Sequence, residues 1–190
     1  ALRHTSLIKF VFVLVLGMAQ VGFVFLAGCG SNDDNQGQSA GTVVVGANVG
    51  DKAPDFTLER VAGGELTLSS LQGKAVIVDF WDTWCPPCKK ALPDLQELSE
   101  TYADDLVVVG VALAQEGEEK VRRFTSDRGL TFEMVLFNQD PQMVREFGGL
   151  SSIPTTFLID ADGIIREKWV GAAPKAAYEA AVRKVIAAGA

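Results

Sequence analysis

Histidine is almost missing from this 190-residue chain. The only one, His4, precedes a long apolar run, so the part that can fold into a domain has none. That removes Cys-His proteases, Ser-His-Asp hydrolases and His-ligated metal centres from the candidate functions. Positive charge is also scarce. The formal net charge is −7, and no long basic run exists, which argues against nucleic acid as a partner. Cysteine occurs three times, at Cys29, Cys85 and Cys88. Apolar residues make up 48% of the chain, enough for a sizeable core in one ordinary domain. No internal repeat is visible.

The N-terminus reads as an address. Arg3 and Lys9 give a positive start, and Phe10 to Ala27 is apolar apart from Gln20. Leu26-Ala27-Gly28-Cys29 follows, with small residues where a secretory signal is cut. The tetrapeptide resembles the lipobox of bacterial lipoproteins. That resemblance implies a signal peptide over 1–28, lipidation of Cys29 and a membrane anchor made of lipid. The alternative is an uncleaved transmembrane anchor, since about 18 apolar residues nearly span a bilayer. Both readings place the remainder outside the cytoplasmic membrane. Without residues 1–28 the chain keeps 15 basic and 24 acidic residues, net −9. Ser31 to Gly41 is polar and glycine-rich, so 29–46 is expected to be the lipidated cysteine and a flexible tether. The folded domain is expected over 47–190.

Within the domain, Phe56–Leu58 and Glu65–Leu68 flank Gly63-Gly64 and predict a hairpin. Ala75–Trp81 (AVIVDFW) is short and almost wholly apolar, the pattern of a buried strand. A helix is predicted over 86–102, with Leu92, Leu95 and Leu98 at helical spacing. A strand over 106–113, a charged helix over 117–128, a strand over 134–137 and a short helix over 141–147 come next. Strands over 155–159 and 164–170 flank an Asp-Ala-Asp-Gly turn, and a helix over 174–188 closes the chain, with Pro174 in its first turn. The order β-α-β-α-β-α-β-β-α predicts an α/β fold: a mixed sheet with helices on both faces.

The chemistry is concentrated in Trp84-Cys85-Pro86-Pro87-Cys88. A C-x-x-C after a buried strand and at a helix start reads as a redox motif. The reactive species is the thiolate, and a helix N-terminus stabilises negative charge. Cys85 stands there, and Cys88, one turn on, faces the same side and can close a disulfide with it. Pro86 and Pro87 remove N–H donors from the first turn without cost to the helix. Half a zinc site is the competing reading, but four ligands are needed and no second Cys/His pair exists. A purely structural disulfide would close too short a loop to restrict the unfolded chain much. Neither metal nor cofactor is expected.

These residues resemble the thioredoxin fold family, and within it the TlpA/ResA-like branch of membrane-anchored thiol–disulfide oxidoreductases. The likeness is carried by Gly50–Phe56 (GDKAPDF), Phe80-Trp81, Trp84–Cys88 and Ile153–Asp160 (IPTTFLID). It implies a thioredoxin fold with an N-terminal hairpin, and a redox enzyme acting on disulfide- or dithiol-containing proteins and recharged by a membrane electron donor. It also implies a cis Ile153–Pro154 bond against the cysteine pair, with the Ile153 backbone offered to a partner strand. Trp84 is then a contact surface for partners. Two positions depart from the branch: Ala91 stands where many members have Glu, and Asp79 where many have Asn. The departure weakens the branch's narrower role, cytochrome c maturation. Asp79, in an apolar strand six residues before Cys85, is a candidate to take the Cys88 proton. Asp82 is expected to be an exposed loop acid, the alternative being a slight like-charge repulsion that raises the Cys85 pKa.

Three other classes fit less well. A peroxiredoxin requires Thr or Ser and Pro where this chain has Asp82 and Val78. A Sco-like copper chaperone spaces its cysteines C-x-x-x-C and adds a histidine. A redox-inactive scaffold lipoprotein has no need of an intact W-C-P-P-C. The direction of exchange (reduction, oxidation or isomerisation) depends on small differences in thiolate stability. Reduction is expected from the branch.

Overall fold

The computed structural model describes residues 43–189. Their order is β1 (Thr57–Arg60), β2 (Glu65–Thr67), a 3₁₀ turn (Leu68–Leu71), β3 (Ala75–Trp81), α1 (Pro86–Thr101) and β4 (Leu106–Ala112). Then come α2 (Glu118–Asp127), β5 (Glu133–Leu136), α3 (Pro141–Glu146), β6 (Thr155–Ile159), β7 (Ile165–Val170) and α4 (Lys175–Gly189). The seven strands form one sheet in the order β2-β1-β5-β4-β3-β6-β7. β3, β4 and β5 are parallel, and every other pairing is antiparallel. This is the mixed α/β sheet that the element order predicts, in the thioredoxin-like fold that the resemblance implies. The hairpin of β1 and β2 lies at one edge and turns through Gly63 and Gly64, both at positive φ. Leu68, expected as a strand residue, instead starts the 3₁₀ turn.

β3 is buried along all seven residues because both sheet faces are covered. Its side chains alternate between two cores. Ala75, Ile77 and Trp81 enter one with Leu92, Leu95 and Leu98 of α1, Val121 of α2, and Tyr178 and Val182 of α4. Val76, Val78 and Phe80 enter the other with Met143 of α3, Phe56 and Phe157. Phe147 anchors that second core, with its ring 5.1 Å from Phe80 and 5.4 Å from Phe157. Asp79 shares the parity of Ile77 and Trp81, so it faces the α1 side, where both cysteines pack.

The parallel strands end together at Trp81, Ala112 and Leu136, and β6 begins beside the end of β3. The loops at that edge carry the candidate site. All three non-glycine residues with positive φ among the described residues, Ala114, Gln139 and Leu150, lie in loops flanking these strands. α1 continues through Pro93, which has no N–H to offer the Lys89 carbonyl one turn back. No helix among the described residues is long and apolar enough to cross a membrane. The run Phe10–Ala27, Cys29 and the 31–41 tether lie outside the described residues.

Candidate active site

The tight turn from β3 into α1 closes when the Cys85 N–H donates to the Asp82 carbonyl at 3.2 Å. Cys85 is the N-cap of α1, and Pro86 and Pro87 occupy the first helical positions. Its sulfur accepts the Cys88 N–H at 3.2 Å, the contact by which a helix start stabilises charge on a cap atom. Cys85 and Cys88 are joined by a disulfide, so the molecule is in its oxidised form. Cys85 is only 2% exposed and Cys88 is fully buried. The first cysteine is therefore less open than its place at a helix tip suggests.

Around the disulfide, the Ile153–Pro154 bond is cis and the Ile153 carbonyl oxygen lies 3.7 Å from the Cys85 sulfur. The Pro154 carbonyl accepts the Gly171 N–H, which ties the start of β6 to the end of β7. Trp84 stands at the rim with 46% of its surface exposed. Trp81, three residues earlier, is wholly buried and donates its indole N–H to the Met134 sulfur. Of the residues singled out from the sequence, Cys85, Cys88, Ile153 and Trp81 share one packing cluster, and Pro154, Pro86 and Pro87 adjoin them in the chain.

Asp79 is fully buried, and one oxygen accepts the Thr156 hydroxyl at 2.6 Å. Its other oxygen has no hydrogen-bond partner. Burial therefore drives its pKa up from 3.8 to about 7, against the opposing pull of the Thr156 bond. Beside it on β4 is Gly110, where a Cβ would come within 2.8 Å of the Met134 sulfur. That glycine leaves room for the Met134 side chain of β5 and the Phe132 ring before it.

Asp82 corrects an expectation. It is not an exposed loop acid but fully buried. One oxygen accepts the Thr83 N–H at 2.6 Å and the other accepts the Gln115 N–H at 3.0 Å. The Thr83 hydroxyl, 3.3 Å from Asp82, donates to Glu116 at 2.9 Å. Glu116 also pairs with Lys120, and these two bonds, Lys120 first, hold its pKa below the ordinary value. Thr156 was also missed. It follows Thr155 at a fully buried position of β6, in register with Asp79, and no local pattern marks that pairing.

The sequence profile of the AhpC/TSA family matches residues 49–168. The chain belongs to that family, among its thioredoxin-like thiol–disulfide oxidoreductases. It is 36% identical over 137 residues to a thioredoxin-like protein, YneN, of Bacillus subtilis, covering 71% of this chain and 79% of that one. It is 37% identical over 127 residues to the thiol-disulfide oxidoreductase ResA of Geobacillus thermodenitrificans, covering 67% of this chain and 72% of the relative. A solved thiol:disulfide interchange protein of Chlorobium tepidum superposes with a TM-score of 0.62 at 32% identity, covering 71% of this chain and 95% of its own. A cysteine pair closed as a disulfide at a helix start suits an enzyme of this class.

Proposed function

We propose that the enzyme is a reductant of protein disulfides, held outside the cytoplasmic membrane through lipid on Cys29. In this reading the Cys85 thiolate attacks one sulfur of a partner disulfide. A Cys85–partner disulfide forms and the other partner sulfur leaves as a thiolate. Cys88 then loses its proton and attacks the Cys85 sulfur, which expels the second partner thiolate and leaves the Cys85–Cys88 disulfide. Two electrons pass to the partner, and a dithiol donor at the membrane restores the pair. Asp79 is the acceptor of the Cys88 proton. Trp84 and the backbone of Ile153, beside Pro154, form the surface on which the partner rests. The proposed substrate class is protein disulfides, with apocytochrome c the narrower case that the branch resemblance suggests.

The observation that carries the role assignment is the N-cap position of Cys85, whose sulfur already accepts an N–H of the first helical turn. The reading is tested by trapping. Cys88→Ala should accumulate covalent partner adducts in cells that dissolve in reductant, and Cys85→Ala should not. Equal trapping by the two variants would overturn the assignment.

A further inference from the structure

Two carboxyl groups are buried in the stretch that leads from β3 into the redox pair, and only Asp79 enters the exchange just described. Asp82, three residues before Cys85, is wholly enclosed and accepts hydrogen bonds at both oxygens, from Thr83 and from Gln115 on the loop after β4. Two N–H donors converging on opposite oxygens suit a carboxylate, which only accepts. They also fix its position, because the Asp82 carbonyl is bonded to the Cys85 N–H. Among the described residues no lysine or arginine forms an ion pair with it. The charged and titratable groups nearest this network are Glu116 on the same loop as Gln115, Lys120 on α2 and Lys89 on α1, with Asp79 buried on β3. Lys120 is engaged by Glu116, so that cation is offset by an acid of its own.

We propose that Asp82 is a positioning residue whose buried negative charge, held one turn before Cys85, opposes the Cys85 thiolate and keeps the Cys85–Cys88 couple reducing. The inference deepens the reductant reading and rests on it for its purpose. Reduction of the disulfide takes two electrons and two protons and yields two thiols. Ionisation of Cys85 then releases one proton and stabilises the reduced side alone. The helix start favours that ionisation. A fixed like charge in a water-poor turn disfavours it and does not act on the neutral disulfide. The reduced form gains less from the thiolate, so it gives up electrons more readily. The same carboxylate staples the turn of Trp84 to the Gln115 loop, which keeps the charge in place through the cycle.

The test is the redox potential at pH 7 of Asp82→Asn and Asp82→Ser. They are neutral variants of different shape, so a folding failure in one leaves the other. Each should shift the dithiol–disulfide equilibrium toward the reduced form by about threefold, roughly 14 mV at 29.6 mV per tenfold. In a Cys88→Ala background, each should also move alkylation of Cys85 to lower pH. Thr83→Val removes the hydroxyl and keeps the charge, so its potential should match the wild type. A folded neutral variant with wild-type potential and alkylation profile overturns the inference. A Thr83→Val shift as large as that of Asp82→Asn also overturns it, because the effect is then one of loop shape. A wild-type couple more oxidising than glutathione, raised further by Asp82→Asn, refutes the reductant reading and leaves the role of Asp82 standing.

Discussion

Replacing Asp79 with Asn leaves the shape of the site and removes its one half-satisfied carboxyl group. The carboxyl is fully buried, has one partner in Thr156, and titrates at about 7 instead of 3.8. A folded-state pKa above the unfolded value favours the protonated, folded form. The associated stability is complete below pH 3.8, falls as pH rises toward 7 and is gone above it. At about 1.4 kcal/mol per tenfold change in proton affinity, the full difference is roughly 4 kcal/mol. An amide escapes this ionisation penalty but must itself be buried with few partners. The net gain for Asp79→Asn is therefore about 1–3 kcal/mol at pH 8 and near zero at pH 4. Urea unfolding of the oxidised proteins at the two pH values measures it. Turnover should move the opposite way. If Asp79 takes the Cys88 proton, its ionised form is required, and turnover of the wild type should rise through pH 7. Asp79→Asn should be slowed about tenfold or more near neutrality. The deficit should narrow toward pH 9, where Cys88 ionises without help. Single-turnover attack by Cys85, followed in a Cys88→Ala background, should be unaffected. A variant with equal stability at pH 4 and 8 relative to wild type, and equal turnover from pH 6 to 9, would refute both the buried-acid argument and the proton-acceptor role.

Three further outcomes follow from the same geometry. Trp84→Ala should raise KM for a protein disulfide several-fold and leave the rate with a small disulfide nearly unchanged, because the ring is exposed at the rim and not packed in the core. Gly110→Ala should destabilise the fold by about 1–3 kcal/mol in chemical denaturation, since the added carbon meets the Met134 sulfur at 2.8 Å and the Phe132 ring at 3.1 Å. Intact-mass analysis of membrane-extracted protein should find residues 1–28 absent and lipid on Cys29. A mass that keeps the leader supports a transmembrane anchor instead.

The sheet was legible because the strand signals were unambiguous. AVIVDFW and LVVVGVA are apolar runs of strand length, and burial on both faces is what such runs require. Helix α1 was equally plain from its leucine spacing. The cysteine pair and its place at a helix start could be read from one pentapeptide. Two features could not be read locally. Asp82 looked exposed because turn acids usually are, and its burial depends on the Gln115 N–H, 33 residues away. The tie of Thr156 to Asp79 spans 77 residues and depends on the register of β3 against β6. Both are tertiary contacts made by polar side chains, and neither periodicity nor propensity encodes them.

A reductant must pass electrons out of the Cys85–Cys88 pair. Equilibration of the wild-type domain with dithiothreitol or glutathione buffers at pH 7 gives the potential directly. A reductant should lie below the glutathione range, near the thioredoxin value of about −270 mV. A potential near −120 mV, that of a strong disulfide oxidant, would contradict the reductant reading.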